Sequence, residues 1–214
     1  MLGTPIRDRK AERRAETRAE ILDAAWEIAR ELGLNQVTLR DVAARVGMQA
    51  PSLYTHFESK LAIYDAMFAQ AWSVYEETVP GLDASLPGDD PREAAYLLGK
   101  HFYDFAAGDL ARHQLMNQRI IPGFEPSADS YAVSLRVFGH AQERICGLGA
   151  VTPEDFDLFV VLVAGLINQH HANDPGGTRY AGLVRRALEM WADAVGLPAS
   201  PAARSAASRK ASSR

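Results

Sequence analysis

The sequence predicts an all-α protein, and three observations carry that prediction. Apolar residues recur at helical spacing in nearly every segment of the 214-residue chain, no strand-like alternation competes with them, and glycine, proline and capping residues separate the segments. With 47% hydrophobic and 23% charged residues, the composition is that of an ordinary globular protein able to build a sizeable core. The expected architecture is about nine helices: an N-terminal three-helix unit containing a helix-turn-helix, then a C-terminal helical domain.

Taken in order, Ile21, Ala25, Ile28 and Leu32 mark a first helix over roughly 16–33, which Gly33 is placed to end. Thr38 is positioned to cap a short second helix whose inner face is Leu39, Val42, Ala43 and Val46, with Gly47 stopping it in the left-handed conformation. A third short helix follows at about 50–56. Ser59 then caps a long fourth one carrying Leu61, Tyr64, Phe68, Ala71 and Tyr75 on one side and ending near Pro80. GLDASLPGDDP reads as a loop, 92–107 as a helix, 109 to about 118 as a shorter one, and IIPGFEPS as a break. A long helix from Ser127 to about Leu148, one opened by TPEDF, and a last one running from the NDPGG break to about Val195 complete the set. The domains expected are a basic arm (1–15), the helix-turn-helix unit (16–60), the helical body (61–197) and a basic tail (198–214) whose Pro, Ala and Ser composition cannot order itself.

Composition also limits function. The longest apolar run, Leu158 to Ile167, is far shorter than the roughly 20 residues of a membrane helix, and the N-terminus is charged rather than apolar, so a cytoplasmic protein with no membrane partner is expected. The single cysteine, Cys146, excludes an internal disulfide and reads as structural. Net charge is −4, distributed unevenly: residues 1–60 hold 10 basic and 9 acidic side chains, 61–203 hold 9 and 18, and 204–214 hold 4 and 0. Basic ends on an acidic body point to an anion-binding front joined to a body with another task.

The stretch VGMQAPSLYTHFESK, Val46 to Lys60, is the most informative. Two short helices joined by a turn at Gly47 form a helix-turn-helix, and Val42, Val46, Met48, Leu53 and Phe57 are the apolar set that locks them against the first helix. Gln49, Ser52, Thr55 and His56 are left outward, where amide, hydroxyl and imidazole groups reach base edges or phosphates in a major groove. Pro51 is tolerated in the first turn, where its missing N–H has no intrahelical partner. Thr38 to Val46, Gly47 and Met48, and LYTHFESK from Leu53 to Lys60 closely resemble the signature of the tetracycline-repressor (TetR) family of bacterial regulators, over roughly residues 17–68. The sequence departs from that signature at Val46, usually alanine, and at Gln49, usually a serine that caps the reading helix.

The resemblance implies that Thr38, Arg40, Gln49, Ala50, Pro51, Ser52, Tyr54, Thr55, His56 and Lys60 form the DNA-contacting set. The bland alternatives are a core aromatic for Tyr54, a helix cap for Thr38, ordinary surface arginines for Arg40 and Arg45, and for RDRKAERRAETRAE a salt-bridged helix start in place of an arm along the DNA backbone or minor groove.

No catalytic or metal-ligating motif accompanies this stretch. His170 and His171 are adjacent and point about 100° apart on a helix, H-E-x-x-H and C-x-x-C spacings are absent, and GLG at 147–149 lacks the rest of a dinucleotide fingerprint. A non-enzyme without cofactor or metal is expected. The helix from Glu154 is apolar nearly all round, with Phe156, Val160, Val163 and Ile167 on one stripe and Phe159, Leu162 and Leu166 on another, so it needs cover on more than one side. Together with Leu183, Val184, Ala187 and Trp191 of the last helix, Phe156, Phe159, Val160, Val163 and Ile167 are the expected homodimer seam, in keeping with the paired last helices that the resemblance implies. His101, Phe102, Phe105, Met116, Phe124, Tyr131 and Phe138 suit a ligand cavity or an ordinary core equally, and Asn168 and His171 add polar groups. The expectation is a homodimeric, ligand-responsive transcriptional repressor reading a palindromic duplex-DNA operator and answering to a mostly apolar small-molecule effector. The alternative is a small-molecule-binding or interaction protein of the same fold without operator recognition.

Overall fold

Asp8 opens the first helix: its carboxylate accepts hydrogen bonds from the backbone N–H groups of Lys10 and Ala11, both at 3.1 Å, and α1 runs Arg9–Leu32. The computed structural model of the chain describes residues 8–200; residues 1–7 and 201–214, part of the expected arm and most of the expected tail, lie outside the described residues. Within the described residues follow α2 (Leu39–Arg45), α3 (Ala50–Leu53), α4 (Lys60–Glu76), α5 (Val79–Ser85), α6 (Pro91–Ala107), α7 (Leu110–Asn117), α8 (Ala128–Cys146), α9 (Pro153–Asn173) and α10 (Val184–Ala194), with 3-10 turns at Leu34–Gln36 and Ala181–Leu183 and no strand. The all-α reading holds.

Boundaries move where local chemistry differs from periodicity. Helix α1 starts well before residue 16 because its cap, Asp8, precedes turns that carry no apolar stripe to betray them. Part of the segment read as a loop, from Val79 to Ser85, is α5: Pro80 sits in the first turn of a new helix rather than beyond the end of the old one. Helix α3 ends at Leu53 instead of 56, giving way to a turn in which the N–H groups of Thr55, His56 and Phe57 bond the carbonyls of Ser52 and Leu53. The expected caps are in place. Thr38 Oγ1 accepts from the Asp41 N–H, Ser59 Oγ from the Ala62 N–H, and Thr152 and Asp155 form a reciprocal capping box with Pro153 in the first turn. Gly47 adopts φ +73°, the left-handed stop that its place after α2 requires.

The chain divides into two compact units, 1–71 with 111–131, and 72–110 with 132–214. In the first, Ile21, Ala25 and Ile28 of α1 are buried with Leu34, Val42, Ala43, Leu53, Phe57, Ile63, Tyr64 and Met67; Leu61, expected on the inner face of α4, is exposed. Two aromatic polar groups inside this core are satisfied. The Trp26 indole N–H donates to Gln70 Oε1 at 2.8 Å, and the Tyr64 hydroxyl donates to the Leu34 carbonyl, where burial pushes its pKa up to about 12. Asp65 of α4 accepts from the Ser127 N–H at 2.7 Å, the Ser127 hydroxyl at 2.9 Å and the Ser130 hydroxyl at 2.8 Å, so a carboxylate stands at the start of α8, where it complements the helix dipole.

In the second unit α6, α9 and α10 pack on one another around Leu98, Tyr103, Phe159, Val163, Ile167, Leu188 and Trp191. Gly99 permits the close approach. A Cβ there would lie 2.6 Å from Leu188 Cδ1, 3.0 Å from Phe159 Cζ and 3.2 Å from Val163 Cγ2, whereas one on Gly139 of α8 would meet nothing within 4 Å. Arg92 secures the C-terminal end, its guanidinium donating to the Leu197 carbonyl and pairing with Glu189 at 3.0 Å and Asp193 at 2.7 Å. Gly99→Ala is therefore expected to destabilise the protein by about 1–3 kcal/mol through overpacking. Gly139→Ala should be neutral or stabilising by up to about 1 kcal/mol, and urea unfolding of both variants checks the contrast.

Candidate functional site

The outward side of α3 is polar and accessible. Gln49, Pro51, Ser52, Tyr54 and Thr55 are exposed, Ala50, His56 and Lys60 partly so, and Thr38 and Arg40 are exposed at the start of α2. Tyr54 is not a core aromatic: 56% of its surface is accessible, while its neighbours Leu53 and Phe57 are buried. Gln49 is the N-cap of α3 but makes no capping hydrogen bond through its side chain, so the amide is not consumed by the helix it precedes. The Thr55 hydroxyl donates to the Ser52 carbonyl at 2.7 Å. His56 Nδ1 is buried and has no hydrogen-bond partner.

The elements around this surface are braced by charge. Arg45 of α2 forms a forked pair with Glu31 of α1, at 2.9 and 2.8 Å, and reaches Glu27 at 3.2 Å. These hydrogen bonds hold the Glu31 carboxyl below its usual range and raise Arg45. Arg45 is thereby a brace between helices. Lys60 Nζ lies 3.4 Å from the Asn35 carbonyl and 5.4 Å from the centre of the Tyr64 ring. From the basic run at the start of α1, Arg14 Nη2 donates to the Thr55 carbonyl at 3.0 Å and Arg18 Nη1 donates to the His56 carbonyl, and both line a polar cleft of about 380 Å³ with Tyr54, His56, Glu58 and Asp65. Sequence reasoning did not single out these two arginines; their signal was their spacing of four residues in line with the apolar stripe of α1.

The residues considered for a ligand cavity divide between the two units. Met116, Phe124 and Tyr131 fall in the first, where Phe124 lies 5.9 Å from Tyr64 and Tyr131 stacks on Phe68 at 6.5 Å. His101, Phe102, Phe105 and Phe138 fall in the second and join an aromatic cluster around two residues that sequence reasoning left out, Trp72 and Tyr75. Ring centres of His101, Phe102 and Phe105 stand 5.5, 5.3 and 5.0 Å from Tyr75, and those of Phe102 and Phe138 stand 6.3 and 5.5 Å from Trp72. His101 Nε2 is 2.7 Å from Thr78 Oγ1, whose proton goes to the Tyr75 carbonyl at 2.6 Å, so the imidazole is the donor. Asn168 is exposed, and His171 Nε2 bonds the Ala106 carbonyl at 3.0 Å.

The residues considered for a dimer seam are placed differently from the sequence expectation. Phe156, Phe159, Val163, Ile167, Val184 and Trp191 are buried in the core of their own chain, since the cover that α9 requires on that side is α6 and α10. They are not available to a second chain. Val160 and Ala187 are half-buried and Leu183 is exposed, while the open apolar side of α9 carries Leu158, Val161 and Leu162, with Met190 exposed on α10. Among the described residues, no group of three or more His, Cys, Asp or Glu side chains is arranged to hold a metal ion, and no helix is long and apolar enough to cross a membrane.

Residues 21–67, which contain every residue of the expected DNA-contacting set, match the profile of the bacterial regulatory proteins, tetR family. The chain is 42% identical over 72 residues to the HTH-type transcriptional repressor BepR of Brucella suis biovar 1, covering 34% of each chain. Over 82 residues it is 34% identical to the tetracycline repressor protein class C of Escherichia coli, covering 38% of this chain and 35% of that one. The matches thus span about a third of the length of these relatives. In three dimensions the chain is similar to the fatty acid degradation regulator FadR from Bacillus halodurans, with a TM-score of 0.65 and 13% identity over 82% of this chain and 94% of that one, a likeness of fold.

The aromatic cluster makes a pH prediction. Burial lowers the His101 pKa below the ordinary 6.5, partly offset by Asp104, so the unfolded chain takes up this proton at a higher pH than the folded one. Stability is accordingly full above about pH 6.5 and falls as the pH drops through that value toward the folded pKa. The melting temperature of His101→Gln should decline less between pH 7 and pH 5 than that of the wild type; an equal decline would remove His101 from the account.

Proposed function

Because residues 21–67 match the profile of the bacterial regulatory proteins, tetR family, we propose that this chain is a member of that family and a cytoplasmic, ligand-responsive transcriptional repressor that binds a palindromic duplex-DNA operator as a homodimer. The observation that carries this reading is the surface of α3 and its turn. An exposed tyrosine, an uncommitted capping glutamine and a row of hydroxyl groups stand on a helix whose other side is locked by Leu53 and Phe57. Tyr54, His56, Lys60, Thr38 and Arg40 are assigned to phosphates, and Gln49, Ser52 and Thr55, with the Ala50 and Pro51 backbone held close, to base edges. A helix of four residues spans too few base pairs to be selective alone, so a symmetric pair on two half-sites is the working form.

The second copy docks on the outer side of α9 and α10. Leu158, Val161, Leu162 and Gly165 share one helical face there, and Met190 and Ala187 of α10 share one with Leu183, which immediately precedes that helix. Gly165 has nothing within 4 Å of its Cβ position, which leaves room for a neighbouring helix. The effector is assigned to the aromatic cluster around Trp72 and Tyr75, where rings dominate and His101 with Thr78 supply the polar groups; a mostly apolar compound with one or two hydrogen-bonding groups fits that chemistry. Its effect on DNA binding requires that it bind the two conformations with different affinity.

Two experiments test the reading. Lys60→Ala is expected to weaken binding to every duplex and to lower the salt slope by about one phosphate equivalent, whereas Gln49→Ala should relax preference at one base pair by about 1–3 kcal/mol. An unchanged salt slope for Lys60→Ala would remove that residue from the phosphate contacts. For assembly, Val161→Asp should yield folded monomers that have lost operator binding, while Phe159→Asp should unfold the chain, because it leaves an unpaired charge in a core. Sedimentation at micromolar concentration and circular dichroism separate the two; a wild-type monomer that still binds its operator tightly would overturn the two-headed mechanism.

A further inference from the structure

The buried face of α1 changes character toward its N-terminus. Ile28, Ala25 and Ile21 lie on it, and steps of three and four residues continue the same face to Arg18 and Arg14. Both arginines turn their charge onto the protein. Arg14 Nη2 meets the Thr55 carbonyl at 3.0 Å, Arg18 Nη1 meets the His56 carbonyl, and the Arg18 guanidinium lies 3.9 Å from the centre of the buried Phe57 ring.

Their acceptors are consecutive carbonyls of the turn that follows α3. The last carbonyls of any helix lack intrahelical partners, and a helix of four residues has no length with which to stabilise itself. Inside the turn the Ser52 and Leu53 carbonyls are already taken by the N–H groups of Thr55, His56 and Phe57. The Thr55 and His56 carbonyls go to the guanidinium groups, in charge-assisted bonds that are stronger than neutral ones and suit the negative end of a helix.

We propose that Arg14 and Arg18 are positioning residues for DNA reading: a two-pronged clamp from α1 that fixes the turn after α3, and with it Tyr54, Thr55 and His56, without touching DNA. The functional consequence rests on the DNA-binding reading above; the clamp itself does not. The Arg18 guanidinium, engaged with a carbonyl on one side and stacked on Phe57 on the other, is committed to the protein, and Arg14 spends its charge on the Thr55 carbonyl. Removing either frees the turn, so the contacting side chains arrive in many orientations while the phosphate-binding charges of the head stay in place.

The test uses Arg18→Met and Arg14→Met in the full chain, with two probes: a duplex enriched on the wild-type protein from a random-sequence pool, and a scrambled duplex of the same composition. Affinity for the enriched duplex should fall roughly tenfold to a hundredfold, the range expected for a lost hydrogen bond to a charged group. Affinity for the scrambled duplex, and its salt slope, should not change. In the free protein, amide exchange at Thr55, His56 and Phe57 should accelerate, with exchange in the middle of α1 and α4 and the melting temperature unaltered. Equal losses on both duplexes, with the slope on the scrambled one reduced by about one, would make the arginines phosphate contacts and overturn the proposal. So would unchanged exchange across the turn. If no duplex can be enriched, the DNA reading fails, and the exchange measurement still decides whether the clamp exists. Should Arg18→Met lower the melting temperature, Arg14→Met, at an exposed position, carries the comparison.

Discussion

The head depends on burying Leu53 and Phe57 beneath a helix only four residues long. Neither residue is more than 3% exposed, and between them stand Tyr54, Thr55 and His56, which face outward or to the edge. Local hydrogen bonding cannot fix so short a helix, so its orientation is set from below by the two anchors and from the side by what α1 and α2 present to it. That division explains why the polar surface is supported by unusually specific chemistry. Arg45 joins α2 to α1 through two glutamates, Thr38 ties down the start of α2, and Tyr64 fastens α4 to the Leu34 carbonyl. Each contact removes a freedom that would otherwise blur where the outward side chains of α3 and its turn point.

The second unit is held by a different balance. Its stability comes from area removed from water among α6, α9 and α10, where large side chains interlock around Gly99. Ion pairs such as Arg136 with Glu76, Arg185 with Glu93, and Asp83 with His140 and Arg144 decorate the periphery. Exposed pairs of this kind contribute little to stability, so they orient helices more than they stabilise the unit. The aromatic cluster around Trp72 and Tyr75 lies between these regimes: rings at 5.0–6.3 Å fill space efficiently, yet His101 and Thr78 place a polar pair among them.

Much of this was legible in the sequence because the signals are local. Apolar spacing in α1, the threonine caps of α2 and α9, Gly47 after α2 and the LYTHF run each report on a few neighbouring residues, and each is found in place. What was not legible is long-range. The all-round apolarity of α9 says that two sides need cover without saying by what, so Phe156, Phe159, Val163 and Ile167 read as a seam although α6 and α10 of the same chain cover them. Pro80 reads as an end because proline stops a helix and starts one with equal ease. Tyr75 was read only as part of the apolar side of α4 and Trp72 was not singled out, because only the fold brings His101 and Phe102 to them.

The arginines at the start of α1 bear on where this head can be cut. The family pattern begins at residue 21, and a fragment starting there retains both short helices, the glycine turn and every side chain of the expected DNA-contacting set. It lacks Asp8, Arg14 and Arg18, and with them the start of α1 and the two donors to the Thr55 and His56 carbonyls. Pattern and structural boundary therefore differ here by more than three helical turns: a domain excised by resemblance alone would keep the motif complete while discarding the part that holds it still.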